Sequence, residues 1–296
     1  MKKEFFTIIF LFLITEQAFT MCMAWRIDVW PRTNEISSNS LLIVEGYGRS
    51  QEVIRKLNKK HKIYLKSETA EISLEVVNIY EGQFKLTQAV LKPSSKLIPG
   101  TTYTLQIDSL DEYEKKDFYR DNFKWLVNDK LDNETPTWSG IPKYINKQKN
   151  EYGCGPASFV DFCVCYQDNS LVLIFTKLKE IKTGKISEYL VTPDSTSLRI
   201  GHGMCSGEFD FEDGEEYEIS FSLMDASGNR NDTLTKAIQF ISPTYKDTVN
   251  PGEKIFCECP KSNEEQKSNI GIIIIVAITI LSLTGLLIYG RKKSNH

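Results

Sequence analysis

The sequence has no excess of basic charge. Its 36 Lys and Arg stand against 39 Asp and Glu, a net charge of −3. Nothing in that balance builds the positive field that holds a nucleic-acid backbone. There is no Gly-rich phosphate loop, no dinucleotide fingerprint, no His-Glu-x-x-His and no Gly-x-Ser-x-Gly. Those absences argue against the common nucleotide sites, the zincins and the elbow-type serine hydrolases. Long amphipathic runs of 3.6 period are also missing, which argues against a helical bundle. What remains is a series of short alternating apolar stretches, many separated by Gly, Pro, Asn and Ser. That pattern reads as all-β.

The two ends carry the longest apolar runs. Residues 270–290 contain no charge and are followed by Arg291, Lys292 and Lys293. As a helix this stretch rises roughly 30 Å, the hydrocarbon thickness of a bilayer, and the basic triplet fits the cytoplasmic bias of Lys and Arg. At the other end Lys2 and Lys3 precede an apolar run over 5–14. It is too short to span and reads as a secretory signal peptide. Cleavage after Ala24 is favoured over the Ala18-Phe19-Thr20 alternative, because losing Cys22 leaves six cysteines, an even number. The expected layout is a signal peptide over 1–24, a first domain over 25–130, a linker over 131–136 and a second domain over 137–243. A stalk over 244–269, a transmembrane helix over 270–290 and a cytoplasmic tail over 291–296 complete it. The body is then exported, to the cell surface or periplasm, with the C-terminus inside.

One signature occurs twice. Leu97-Ile98-Pro99-Gly100-Thr101-Thr102-Tyr103-Thr104-Leu105 aligns without a gap on Phe211-Glu212-Asp213-Gly214-Glu215-Glu216-Tyr217-Glu218-Ile219. Both read apolar, x, turn residue, Gly, x, x, Tyr, x, apolar. A Gly turn that feeds a Tyr and then an alternating strand is the tyrosine corner of immunoglobulin-like sandwiches. Tyr103 and Tyr217 are therefore the expected structural residues, each with its ring in the core and its hydroxyl on nearby backbone. Strand candidates in the first domain are 26–30, 41–45, 62–66, 71–80, 83–91, 102–108 and 123–127. In the second they are 158–166, 171–178, 188–192, 196–200, 207–211, 217–224 and 234–241. The expected fold is two tandem Ig-like or fibronectin-III-like β-sandwiches plus one transmembrane helix.

These motifs resemble those of bacterial tandem Ig-like proteins of the S-layer and surface type. Those typically open on a Pro-led segment, here at Pro31, and carry a Leu-x-Pro-Gly-x-x-Tyr stretch before a late strand. The turn Asp225-Ala226-Ser227-Gly228-Asn229 is similar to the last hairpin of bacterial Ig or fibronectin-III-like modules. Cys257-Glu258-Cys259, the apolar stretch and the basic end resemble the Cys-containing C-terminal sorting tails of some Gram-negative surface proteins, without their Gly-rich spacer. The resemblance implies an adhesin, spacer or surface-layer role.

Cysteines of an exported body default to disulfides. Cys154 with Cys205 is the expected pair, since each sits beside glycines in a loop. Cys163 and Cys165 flank one strand residue and should share a face. Tyr152-Gly153-Cys154-Gly155-Pro156-Ala157-Ser158, with Gln148 upstream, also resembles the nucleophile segment of bacteriocin-processing, papain-like cysteine peptidases. There Cys154 would open a helix that lowers its pKa, His202 would be the base and Gln148 would bind the oxyanion. Against that, 158–175 reads as strand. A zinc site from Cys154, His202 and Cys205 is a further possibility. Asp129, Asp132 and Glu134 at the domain junction offer hard oxygens for Ca²⁺; without an ordered ligand pattern a solvated linker is the favoured reading. The sequence thus points to a non-enzymatic surface protein presenting two modules for binding, adhesion or an envelope role. Its partners are the membrane and an unidentified extracellular or envelope protein or glycan, with no nucleic acid and no cofactor. The alternatives are the peptidase and an inhibitor or chaperone-like periplasmic module.

Overall fold

The computed structural model describes residues 25–247 together with Cys257 and Cys259. The expected signal peptide, the end segment 270–290, the basic tail and most of the stalk lie outside the described residues. Among the described residues no helix is long and apolar enough to cross a membrane. The described chain up to Cys257 is one compact unit, and it is mostly β.

The first half holds eight strands: β1 (Arg26–Trp30), β2 (Glu35–Ile36), β3 (Leu42–Tyr47), β4 (Ile63–Lys66), β5 (Glu71–Glu81), β6 (Leu86–Pro93), β7 (Thr102–Ile107) and β8 (Lys124–Val127). They run in the order β1-β3-β6-β5-β4-β7-β8-β2. The start of β5 pairs with β4 and the rest with β6, and the register slips between Val76 and Asn78. A bulge of this kind increases local twist and lets one long strand serve two layers. Between the layers lies a core that includes Leu42, Val44, Leu65, Leu91, Tyr103, Leu105 and Trp125. The short helix α1 (Gln51–Arg55) buries Val53 and Ile54. The charged stretch before β8 forms α2 (Glu112–Arg120), opened by a capping box between Asp111 and Glu114.

The second half begins with β9 (Thr137–Trp138), β10 (Lys143–Tyr152), β11 (Gly155–Cys163), β12 (Tyr166–Gln167) and β13 (Val172–Glu180). It continues with β14 (Ile186–Val191), β15 (Ser197–His202), β16 (Glu216–Asp225), β17 (Arg230–Asn231) and β18 (Ile238–Ile241). A three-stranded sheet, β10-β11-β15, and a five-stranded arrangement, β14-β13-β16-β17 with β18 on β16, surround a second core. The expected strand over 207–211 is not one. That stretch is held by isolated bridges from Gly207 to Phe84 and His202. Strand β10 has no counterpart among the sequence candidates, because Lys-Tyr-Ile-Asn-Lys-Gln-Lys-Asn-Glu-Tyr is polar on both faces. Among the described strands it pairs only with β11, and charged side chains suit such an edge.

The repeated signature forms the same turn twice. Gly100 and Gly214 take φ of 76° and 72°, the left-handed region glycine enters without a Cβ penalty. Thr101 N donates to Ile98 O at 3.2 Å, and Glu215 N to Glu212 O at 3.3 Å. Both tyrosines are buried. Only the second completes the corner: its hydroxyl accepts from Glu212 N at 3.0 Å. The Tyr103 hydroxyl is buried with no hydrogen-bond partner, which corrects the expectation for the first copy. The first turn is anchored to β8 instead, through Gly100 N to Val127 O at 2.8 Å. The two Tyr→Phe substitutions should therefore differ in sign. Tyr217→Phe should cost about 1 kcal/mol for a lost hydrogen bond, whereas Tyr103→Phe, which removes an unsatisfied buried hydroxyl, should be neutral or stabilise by about 1 kcal/mol. Urea unfolding of the two variants checks this.

The halves are not separated by a free linker. Within 131–136, Asp132 O accepts from Asn39 Nδ2 at 2.6 Å and from Asn229 Nδ2 at 3.1 Å. The turn after β16 docks on the first half, with Leu41 N donating to Ala226 O at 2.8 Å. Leu41, Ile43, Tyr80, Leu86 and Val90 leave the first half to join the second core. Strand β6 is accordingly buried on both faces over its first six residues.

Candidate functional site

The seam between the halves gathers polar residues that look ordinary in the sequence. Asp28 of β1 faces Glu45 of β3, and Glu45 faces Gln88 of β6, as direct cross-strand partners. Directly opposed residues project from one face of the sheet, so these three form a row. The row lies on the face that the second half covers: Tyr189 of β14 donates its hydroxyl to Glu45 Oε2 at 2.7 Å, and Gln88 Nε2 donates to Leu190 O at 3.1 Å.

Two opposed carboxyls repel unless compensated. Asp28 is compensated. Arg26 Nε donates to Oδ1 at 2.9 Å, Arg32 pairs with the same oxygen at 2.7 Å, and the Tyr47 hydroxyl donates to Oδ2. Among the described residues Glu45 has no ion pair; its bonds come from Tyr189 and Gln88. Burial, with the Asp28 charge adding to it, raises its pKa, and the hydrogen bonds from Tyr189 and Gln88 oppose that rise. Nearby Glu208 is pushed up to about 8 by burial and by the Glu45 charge. Tyr47 and Tyr189 are raised as well, mainly by burial and then by their carboxylate neighbours. A cavity of about 520 Å³ opens on this row, lined also by Trp30, Arg32 and Tyr47 of the first half and by Leu173 of the second. A cleft with perturbed carboxyls and a few convergent polar groups has the character of a binding site.

A second seam cavity of about 820 Å³ is lined by Ser37, Lys130, Asp132, Glu134 and Asp168. Ligand oxygens of Asp132, Asp168 and Asp225 lie within 4.8 Å of one another, a donor set of hard oxygens that suits Ca²⁺ or Mg²⁺. Burial raises the Asp225 pKa. Of the three junction acids expected from sequence, only Asp132 belongs to this group. Asp129 does not, and Glu134 instead accepts from Asn169 at 2.9 Å.

The cysteine expectations change. Cys154 is a free thiol, while Cys165, Cys205 and Cys259 are disulfide-bonded. The Cys154–Cys205 pairing is therefore not made, because Cys205 is already committed to another bond. It also leaves no Cys205 thiolate for the zinc set. Cys154 occupies the two-residue turn between β10 and β11, where Tyr152 pairs with Gly155. A strand follows it, so no helix N-terminus acts on the thiol. Ser158, four residues further on, is the residue opposite His202, and Gln148 lies opposite Phe159. Both His202 ring nitrogens are engaged: Nδ1 with Gly203 O at 2.9 Å and Nε2 with Asp210 at 3.3 Å. Phe84 covers the ring, its centroid 4.9 Å away. Cys163 and Cys257 are free and their thiols share a hydrogen bond. Burial first, and then Cys163, pushes Cys257 up to about 12.

No family model and no curated protein matches this chain. Solved structures align only distantly. Pullulanase type I from Bacillus subtilis, complexed with maltose, aligns over 82% of this chain at 8% identity and a TM-score of 0.23. Latent dimeric PorU from Porphyromonas gingivalis aligns over 74% at 14% identity and a TM-score of 0.27. The chain spans 29% of the first and 20% of the second. Likeness at that level carries no argument about function. The site rests on its own geometry.

The seam row carries no sequence motif: Asp28, Glu45 and Gln88 are single polar residues within the strand candidates 26–30, 41–45 and 83–91. One signal was available. Leu41-Leu42-Ile43-Val44 and Ala89-Val90-Leu91 are continuous apolar runs. Such runs mark strands covered on both faces.

Proposed function

We propose that this is an exported, non-enzymatic protein, anchored by residues 270–290, whose two Ig-like sandwiches act as one binding body. The partner is an extracellular or envelope molecule, and the leading residues sit at the seam rather than at the outer loops. The observation that carries the binding reading is the cavity on the Asp28–Glu45–Gln88 row. The repeated Gly turn and buried Tyr support the pairing of two like modules. The disulfide-bonded cysteines support the exported location, since such bonds persist in oxidising compartments. The peptidase alternative, using Cys154, His202 and Gln148, draws less support, because the thiol sits on a hairpin and the imidazole is engaged on both sides.

Topology is the test. Protease added to intact cells, or to spheroplasts if an outer membrane intervenes, should remove nearly all the mass and leave a fragment ending near residue 296. A body protected under those conditions, with the protease shown to be active, would reject the proposal.

A further inference from the structure

We propose that the seam cavity takes a primary ammonium group, held between Glu45 and Gln88. The inference deepens the binding reading and rests on it.

Two acceptors there lack donors. Gln88 is 4% exposed and donates its amide to Glu45 Oε2 and to Leu190 O. Its own Oε1 is buried and has no partner. A buried carbonyl oxygen without a donor calls for an explanation, and a missing ligand is one. On Glu45, Oε2 accepts from Tyr189 and Gln88, and among the described residues Oε1 accepts nothing. The neighbouring Tyr47, Arg26 and Arg32 donate to Asp28 rather than to Glu45.

The missing group must bring donors and positive charge. An ammonium carries three N–H donors and no acceptor. Its three donors are enough for two acceptor oxygens, and its charge offsets a carboxylate. A single hydroxyl brings one donor and no charge. An anion meets the carboxyls of Asp28 and Glu45, which both line the cavity. Trp30 and Tyr47 line the same cavity, and aromatic faces attract cations. The side chain of Arg32 is 62% exposed at the rim, so the cavity has a mouth. Its volume of about 520 Å³ admits a side-chain-sized amine.

Such an amine could be a free small molecule or a lysine of a partner protein. Calorimetric titration of the purified full-length chain with n-butylammonium, with Nα-acetyl-lysine amide and with n-butanol separates these. At least one of the two cations should bind, and n-butanol should not. Preference for the lysine amide identifies a protein side chain as the source; preference for n-butylammonium, or equality, identifies a free amine. Glu45→Gln should weaken cation binding by roughly tenfold or more, the usual scale for losing a charge-assisted hydrogen bond. Asp232→Asn, on an exposed turn, should leave it unchanged. Should Glu45→Gln fail to fold, the comparison of n-butylammonium with n-butanol on the unaltered chain decides alone. No binding of either cation, equal binding of n-butanol, or affinity insensitive to Glu45→Gln would overturn the proposal. Failure here leaves the exported topology standing, and a failed protease test leaves this titration unaffected.

Discussion

Glu208→Gln should make the protein more stable at alkaline pH and leave it unchanged in acid. In the folded chain the Glu208 carboxyl is pushed from 4.5 to about 8. The cause is burial first and the Glu45 charge second. Between those two values the folded state holds a proton that the unfolded state has released. Stability therefore falls as pH rises through that window, and the loss is complete above the folded-state value. The full difference is ~5 kcal/mol in a rigid structure at about 1.4 kcal/mol per pH unit, and less to the extent that the side chain turns towards solvent. Glutamine mimics the protonated acid and cannot lose the proton. Its urea midpoint should match the wild type near pH ~4, where the linkage term vanishes, and exceed it clearly near pH ~9. A wild-type midpoint that rises from the one pH to the other, or a variant that tracks it at both, would refute the assignment.

Gly201→Ala should be among the most damaging single changes in the chain. Gly201, the next-to-last residue of β15, takes φ 134°, and a Cβ placed there would lie 2.0 Å from Ser158 O on β11. The substitution combines a conformation L residues avoid with a backbone clash that only parting the strands relieves. About 3–5 kcal/mol, or failure to fold, is the expected cost. Gly100→Ala supplies the control. It also sits at positive φ, 76°, but its Cβ would meet nothing within 4 Å. That change should cost only about 1–2 kcal/mol. Chemical denaturation of the pair measures the difference, and equal losses would show that the β11–β15 contact is looser than described.

Much of the fold was legible where the pattern is periodic. Strands over 26–30, 71–80 and 217–224 follow from alternation, and the doubled Gly-x-x-Tyr stretch forms the same turn in both places. What was not legible depends on partners far away in sequence. Strand β10 carries no apolar face, because its edge position does not demand one. The Tyr103 hydroxyl could not be distinguished from that of Tyr217, since both motifs are alike and only the surrounding turn anchors differ. The fate of Cys154 was settled by which cysteines came together, a matter no spacing rule contains. The seam row required knowing that the outer face of β1, β3 and β6 is covered. The apolar runs in β3 and β6 hint at that covering, but the opposing residues Tyr189, Leu190 and Glu208 lie more than a hundred positions downstream of Asp28, Glu45 and Gln88.

The central structural claim is that the two halves form one body across a built seam, and amide hydrogen exchange in rising urea tests it most directly. Slowest-exchanging peptides from β7 (Thr102–Ile107) report on the first core, and those from β16 (Glu216–Asp225) on the second. If the shared residues Leu41, Ile43, Tyr80, Leu86 and Val90 couple the cores, both segments should lose protection at one urea midpoint, through a single global opening. Two separate midpoints, with one segment still protected while the other exchanges freely, would contradict the account and return the chain to independent modules on a passive linker.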